Sequence, residues 1–520
     1  MITCYSRHYH QASSLFGLPP RRVLGRESLP RFLRAYDHPA HPGNDVILYG
    51  SQVENVALNR EQAGFVEAWN REYAFPRLKF GGFAEAMRAV IGDRSENALT
   101  RVRGDGGPYW EDGLAANARV TARAREYARR LVSAEKLATA ASGWNPKYRV
   151  DRADLDAAWE AVRLIDEHTW HADCSVRDPG SEKARRQGEA KDARADELKR
   201  AAERVSLRAM SAIADAVPVG PGTLMVFNPL SWPRSGDAEV EIGRGQALVD
   251  LETGATLGME VLREGRVYRT VRFEVPTVPA MGFRSLGLRP AVSEARVAPL
   301  PEPSVLETPH YRVLLDVGRG GIRSIVDRAT RRELVDDRAR FALGQWVYVT
   351  GGDELPNRLV QFGTASPIPS LTEHGAEGGR LVSATSNRWG VVARMESRSR
   401  GAPTVETEVA LPWGRKEIRV TVRVTKEATL AKEAAYVAFP WAVVSPRFRY
   451  ATQNGFVDPA RDVLTGGCLE WFAVQDWLAV DGGGVSVWMS AVDAPLVTLG
   501  DIVRGTWPET FGTRPAAVFG

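Results

Sequence analysis

Apolar residues recur at helical spacing through the middle of the first 217 residues. Residues 115–141 contain good helix formers, no proline and one apolar stripe, and a second stripe runs from 155 to 165. Asp151 or Asp154 can cap the second helix, and Ser181 can begin a third, longer one. Three consecutive long helices predict an antiparallel bundle.

After the Pro- and Gly-rich segment 218–222, the pattern changes to period two. Residues 405–409 and 418–425 alternate apolar with polar side chains, which is typical of antiparallel strands with one solvated face. Gly and Pro interrupt the pattern at short intervals. The sequence therefore predicts large antiparallel β-sandwich domains over residues 218–520.

The first 100 residues mix short apolar runs with short helices. The run Val46–Tyr49 ends at Gly50 and suits a buried parallel strand, while helices are expected from Asn59 and over 83–90. This predicts the C-terminal part of a parallel α/β catalytic domain over residues 1–100, with too few strands for a complete sheet. With a bundle over 101–217, the predicted fold class is multidomain α+β.

Composition and charge exclude several classes of protein. Hydrophobic residues make up 44% and charged residues 25%, which excludes a disordered or fibrous chain. Lys plus Arg number 68 against 64 for Asp plus Glu, and both signs are mixed, so no nucleic-acid partner is expected. No apolar run reaches the length of a membrane span, and most of the 14 Trp are expected in cores. The three cysteines read as free thiols of a reducing compartment, which favours the cytoplasm.

The densest group of metal-capable residues lies between Glu167 and Cys174. His168 and His171 stand there, where the second bundle helix should end, with carboxylate and thiol neighbours. These are the ligand types of zinc. A histidine near a helix C-terminus is also favoured by the helix dipole alone, so both readings stay open.

Two loops carry candidate acid–base or sugar-binding residues. Glu54 follows the predicted buried strand, where sites of α/β sheets form, although it also reads as a surface acid of the loop. The segment Gly104–Gly113 combines aromatic and acidic residues, which suits sugar binding and equally a tight turn before a helix. A nucleophile elbow, a phosphate loop and an H-E-x-x-H motif do not occur in the sequence.

Several segments together resemble the family 38 glycoside hydrolases, which are zinc-dependent alpha-mannosidases. They occur in the family's order and spacing and span nearly the whole chain. The segments are Glu167–Trp170, Thr223–Arg234, Tyr311–Val313, Gly320–Asp327, Arg332–Asp336, Ala473–Trp477 and Ala491–Val497.

The resemblance implies an α/β catalytic domain, a helical bundle and then large β-sandwich domains. It also implies one Zn²⁺ held by an N-terminal His-x-Asp pair, an Asp nucleophile and a bundle histidine. Only the bundle histidine can be carried over, and it is His168, with His171 as a weaker second. The N-terminal pair and the nucleophile are lacking, so the chain is expected to be an incomplete piece of such an enzyme. The general acid is also lacking after Gly50, and Glu54 is its nearest replacement.

The expected activity is hydrolysis of terminal alpha-linked mannose by a retaining, zinc-assisted mechanism. Asn55, Tyr109 and Trp170 are expected to contact the carbohydrate substrate. The alternatives are a non-catalytic carbohydrate-binding or scaffold protein built from the same modules, and another sugar-active enzyme such as a phosphorylase or lyase. The sequence leaves a homo-oligomer open.

Overall fold

The fold divides by contact between Cα atoms into two compact units, Met1–Arg103 and Gly104–Gly520. In the part of the chain that the structure describes, no helix is both long and apolar enough to cross a bilayer. The computed structural model describes residues 11–34, 44–48, 57, 59–92, 101, 103–107, 109–167, 175, 178–218, 220, 222–291, 298–352, 370–464, 467–502 and 518–519.

The described part of the first unit is helical. Its aromatic core joins Phe16, Leu29, Phe65 and Trp69, and the Phe16 and Phe65 ring centroids lie 5.0 Å apart. The helices expected from Asn59 and over 83–90 are confirmed. Its helices are α1 Gln11–Phe16, α2 Arg22–Arg34, α3 Glu61–Glu72 and α4 Phe83–Ile91.

The strand predicted at Val46–Tyr49 is not found in the residues described there. Residues 46–48 are not in a strand, and the described residues of this unit contain none. Leu48 instead packs against the aromatic core of the helices. One residue of the apolar run is thus accounted for by packing on helices, and the described residues provide no parallel sheet for the expected α/β domain.

Three long helices open the second unit: α5 Ala118–Trp144, α6 Arg152–Ile165 and α7 Glu182–Ala216. The Asp151 carboxylate accepts from the Asp154 backbone N–H at 3.2 Å, and the Ser181 hydroxyl accepts from the Ala184 N–H at 3.2 Å. Each side chain satisfies a backbone donor that the helix itself leaves free. Both predicted caps are confirmed.

The three helices share one core rich in Ala and Leu. Small side chains let the helices approach closely while Leu131 and Leu198 are fully buried between them. Arg204, late in α7, donates to Asp154 at the start of α6 at 2.6 Å, and Lys191, early in α7, donates to the Leu164 carbonyl at 2.6 Å. Helices α6 and α7 therefore run antiparallel.

The remainder of the second unit is mainly β-structure. Residues 223–290 form β1 Thr223–Phe227, β2 Arg234–Gly243, β3 Gln246–Asp250, β4 Met259–Glu264, β5 Tyr268–Val278 and β6 Phe283–Pro290. Residues 298–439 form β7 Ala298–Pro299, β8 Val305–Glu307, β9 Tyr311–Asp316, β10 Gly321–Asp327, β11 Arg332–Glu333, β12 Trp346–Gly351, β13 Leu371–Gly375, β14 Glu377–Asn387, β15 Gly390–Ser399, β16 Ala402–Pro412, β17 Arg419–Thr425 and β18 Glu433–Phe439. The last strands are β19 Arg447–Ala451, β20 Phe456–Val457, β21 Phe472–Ala473, β22 Leu478–Gly482, β23 Val485–Met489, β24 Leu496–Leu499 and β25 Val518–Phe519, with the short helix α8 Pro459–Asp462 between β20 and β21.

These strands pair antiparallel throughout the six described sheets. The orders are β1-β6-β3, β2-β5-β4, β11-β10-β9-β8, β17-β16-β15-β14-β7, β13-β12-β18-β25-β24-β21 and β20-β19-β22-β23. The first two sheets share the core around Leu248, Phe273 and Leu286. The next two enclose the core around Ile322 and Val409. The antiparallel β-structure predicted after residue 218 is confirmed.

Candidate functional site

Most residues predicted for the site lie outside the described residues. Tyr109 begins the 3-10 helix Tyr109–Ala115. Among the described residues, no three His, Cys, Asp or Glu side chains are placed to hold a metal ion together. The metal and substrate roles therefore stay predictions. The predicted residues outside the described ranges are Glu54, Asn55, His168, Trp170 and His171.

The loop that begins at Gly104 is held on the C-terminal β region by backbone hydrogen bonds. The Asp105 N–H donates to the Asp462 carbonyl at 2.6 Å, and the Leu464 N–H donates to the Asp105 carbonyl at 2.8 Å. The Cys468 N–H donates to the Gly107 carbonyl at 2.7 Å. The loop is thus fixed just before the 3-10 helix that carries Glu111.

Two glycines permit this close approach. A Cβ at Gly104 would lie 2.4 Å from the Asp462 carbonyl oxygen, and one at Gly107 would lie 2.7 Å from the Cys468 nitrogen. Both residues also have positive φ, +145° and +56°, which other residues adopt at a cost. Gly106 between them has no neighbour within 4 Å of such a Cβ. Close packing therefore requires glycine at positions 104 and 107, but not at position 106.

Glu111 is a half-buried carboxyl beside the same segment. One of its oxygens accepts from the Ala473 N–H at 3.0 Å. Burial raises the pKa of Glu111, and the negative charge of Asp105 adds to the rise, against the lowering effect of the Ala473 hydrogen bond. Burial, together with the charges of Asp105 and Glu111, likewise raises the pKa of Tyr450, whose hydroxyl is hydrogen-bonded to Asp105. The environment thus favours the protonated form of Glu111.

A second group of charges lies where α5 meets residues 475–476. One Arg125 nitrogen donates to the Gln475 carbonyl at 2.6 Å, and Arg129 donates to the Asp476 carboxylate at 3.1 Å. Asp166, directly after α6, has its pKa raised by burial, an effect that the positive charges of Arg125 and Lys191 oppose. The chain therefore leaves α6, at Asp166, beside a cationic group.

The two groups adjoin the same stretch of chain, residues 473–476. This stretch contacts Glu111 through Ala473 and Arg125 through Gln475. Half-buried carboxyls with raised pKa keep their proton to higher pH and are suited to proton donation. The junction of the bundle and the β region can thus supply a proton donor from Glu111 or Asp166.

The sequence pattern singled out the loop but not its buried acid. Glu111 belongs to the predicted aromatic and acidic segment Gly104–Gly113, so its position after the glycines was an available signal. Arg125 carried no such signal, because its hydrogen bond is to Gln475, 350 positions away. The structure brings together Glu111, Asp105 and Tyr450.

Comparison with known proteins gives a likeness of fold. No model of a protein family matches the chain, and no curated protein matches it. An alpha-mannosidase from Enterococcus faecalis V583 has a similar solved structure, with a TM-score of 0.69 and 14% sequence identity. The match covers 96% of this chain and 62% of that one, so the chain spans less than two thirds of the length of the mannosidase. The chain therefore has a mannosidase-like fold.

Proposed function

We propose that this chain belongs to a glycoside hydrolase that removes terminal alpha-linked mannose from glycans or oligosaccharides with retention of configuration. The observation that carries the proposal is the likeness to an alpha-mannosidase along 96% of the chain. At 14% identity, what is shared is the fold, and the activity is the inference. The half-buried Glu111 supports it, since a carboxyl with raised pKa suits this chemistry.

Retaining hydrolysis uses two carboxyl groups. One attacks the anomeric carbon, and the other protonates the leaving oxygen and then activates water. Glu54 is our proposed acid–base residue, and Glu111 is the described carboxyl best suited to the same role. Zn²⁺ is the proposed cofactor with His168 as a ligand and His171 as a second. Since the described residues bring no three metal-binding side chains together, no step of the reaction is derived through the metal.

The activity is tested on an aryl alpha-mannoside, with the aryl beta-mannoside as the matched control. With the intact protein to which this chain belongs, we expect release of the aryl group from the alpha anomer only, with alpha-mannose as the first sugar seen by proton NMR. Dependence on phosphate would identify a phosphorylase, and an unsaturated sugar product would identify a lyase. Either result, or no turnover at all, would contradict the proposal.

Zinc binding is tested separately by titration of the purified chain. We expect weak binding that His168→Ala reduces further. His310→Ala is the control, because His310 precedes β9, in the β region. Equal zinc binding by wild type and His168→Ala would exclude the assignment of His168.

A further inference from the structure

Three aromatic side chains form an open surface on the sheet β20-β19-β22-β23. We call Phe456, Trp477 and Trp488 the aromatic platform. The Trp477 and Trp488 ring centroids lie 4.7 Å apart, and those of Phe456 and Trp477 lie 6.3 Å apart. Phe456 is 54% exposed and Trp488 is 58% exposed. Large apolar groups clustered in solvent commonly mark a binding surface.

The platform lies on the face of the sheet opposite the Glu111 group. Arg449 pairs with Ala479, and Ala479 pairs with Trp488, so Arg449 and Trp488 point to one face. Tyr450 alternates with Arg449 along β19 and is buried in the core beneath the sheet. The platform and the Glu111 group therefore lie on opposite faces of the sheet.

A chain of hydrogen bonds fixes polar groups beside the rings. Two Arg449 nitrogens donate to one Asp481 oxygen at 3.0 and 2.6 Å, and the Ser486 hydroxyl donates to the other at 2.5 Å. The Trp488 indole N–H donates to the Ser486 oxygen at 3.0 Å. The Arg449 guanidinium also lies 5.8 Å from the centroids of the Phe456 and Trp488 rings. Side chains held in place before binding lose little freedom when a ligand arrives.

The charges around the platform are balanced. Arg449 is paired with Asp481, and Arg447 donates to Asp458 at 2.6 Å. Binding of nucleic acid or an anionic membrane surface relies on unpaired cations that neutralise phosphates. Paired charges between exposed rings favour a neutral ligand that carries both apolar faces and hydroxyl groups.

The platform is also small for a protein partner. Phe456 and Trp488 at about half exposure, with Trp477 less exposed, present roughly 300 Å², against about 800 Å² per partner in a stable protein interface. A sugar ring needs less area, because its apolar face covers one aromatic ring while its hydroxyls bond to the polar edge.

We propose that the aromatic platform binds a neutral oligosaccharide by stacking sugar rings on Trp488 and Phe456. Sugar hydroxyls would bond to Arg449, Asp481 and Ser486. The choice of alpha-linked mannose as the sugar rests on the proposed function, whereas the platform itself rests on the contacts above. The site would hold a glycan on the surface without cleaving it.

The test is calorimetric titration of the full chain with a linear alpha-linked mannotetraose. Loss of one stacking ring should weaken binding about tenfold in Trp488→Ala, and Phe456→Ala should weaken it too. Trp232→Ala is the matched control, because Trp232 is 56% exposed and lies outside the platform. Circular dichroism verifies that each variant is folded.

Several results would overturn the proposal. These are no binding by wild type at millimolar sugar, equal affinities in all variants, or a Trp488→Ala variant that loses binding to DNA or self-association in place of sugar binding. Hydrolysis of the aryl alpha-mannoside is measured in parallel on the intact protein to which this chain belongs. Binding without hydrolysis contradicts only the proposed function, and hydrolysis without platform-dependent binding contradicts only the platform.

Discussion

Gly107→Ala tests whether the loop before Glu111 depends on its close contact with the β region. The added methyl group would lie 2.7 Å from the Cys468 nitrogen and 3.0 Å from the Gly467 Cα, so backbone has to move. A left-handed conformation costs a residue other than glycine about 1–2 kcal/mol. Weakening the 2.7 Å bond from Cys468 to the Gly107 carbonyl adds about 1 kcal/mol. We expect the docked loop to be destabilised by about 2–3 kcal/mol.

The readout is alkylation of Cys468, quantified on its own peptide by mass spectrometry. This thiol is buried, and burial raises its pKa to about 11, so it should react slowly in the wild type. A penalty of about 2–3 kcal/mol should raise the opened fraction, and with it the labelling rate, by about 30- to 150-fold. A local readout is preferable because a chain with two units need not unfold in one step.

Gly106→Ala is the control, since a Cβ there meets nothing within 4 Å. It should label Cys468 at the wild-type rate. If Gly107→Ala labels no faster than Gly106→Ala, the loop does not rest on this contact and our account of its glycines fails.

Three further substitutions probe the core and its charges. Leu198→Ala should lower the free energy of unfolding by about 2–5 kcal/mol, because Leu198 is fully buried. Leu207→Ala is the control and should change it little, because Leu207, also on α7, is 62% exposed. Equal effects of the two substitutions in urea unfolding would refute the assigned core. The Arg284 guanidinium, 2.6 Å away, holds the pKa of Asp250 down to about 2, so this carboxylate contributes stability above pH 4 that is lost as the pH falls toward 2. Asp250→Asn should therefore be less stable at pH 7 and melt with a flatter acid dependence. Burial raises the pKa of Glu111, so its ionisation destabilises the fold as the pH rises past the ordinary glutamate range. Glu111→Gln keeps an acceptor for the Ala473 N–H and should melt at pH 7 at a temperature no lower than that of the wild type. A lower melting temperature of the variant would contradict this account.

The helical bundle was predictable because its signals are local. Asp151 and Ser181 each cap a helix through a backbone N–H three residues away, and an apolar stripe records which side faces the core. The hairpin of β16 and β17 is local in the same sense, since Val409 pairs with Val420 across a short turn. Each of these features is determined by residues that are close together in the sequence.

The pairing of strands that are far apart in the sequence leaves no such local signal. β1 pairs with β6 although four strands lie between them in the sequence, and β12 pairs with β18 although some 80 residues separate them. Leu48 shows the converse, because an apolar residue that suits a buried strand here packs against helices. The periodicity of apolar residues indicates that one face of an element is buried. Which element covers that face depends on the rest of the chain.

The candidate site illustrates this limit in chemical terms. Glu111 has a raised pKa because Ala473, 362 residues later, and the surrounding β region exclude water from it. No window around residue 111 contains that information, so the loop could be read as a sugar-binding segment or as a turn. The structure shows that Gly104 and Gly107 let the loop pack closely on the β region. Glu111 is thereby held where the helical bundle meets the β region.

The aromatic platform follows from the same reasoning. Most of the tryptophans were expected in cores, yet Trp488 alternates with partly buried positions on β23 and faces solvent. Ser486 and Trp488 are two residues apart, so they share a face, and strand register adds Arg449 and Asp481 to it. A core tryptophan would be enclosed by apolar side chains. Trp488 instead bonds to Ser486 at its edge and is 58% exposed, so part of its ring is available to a stacked sugar.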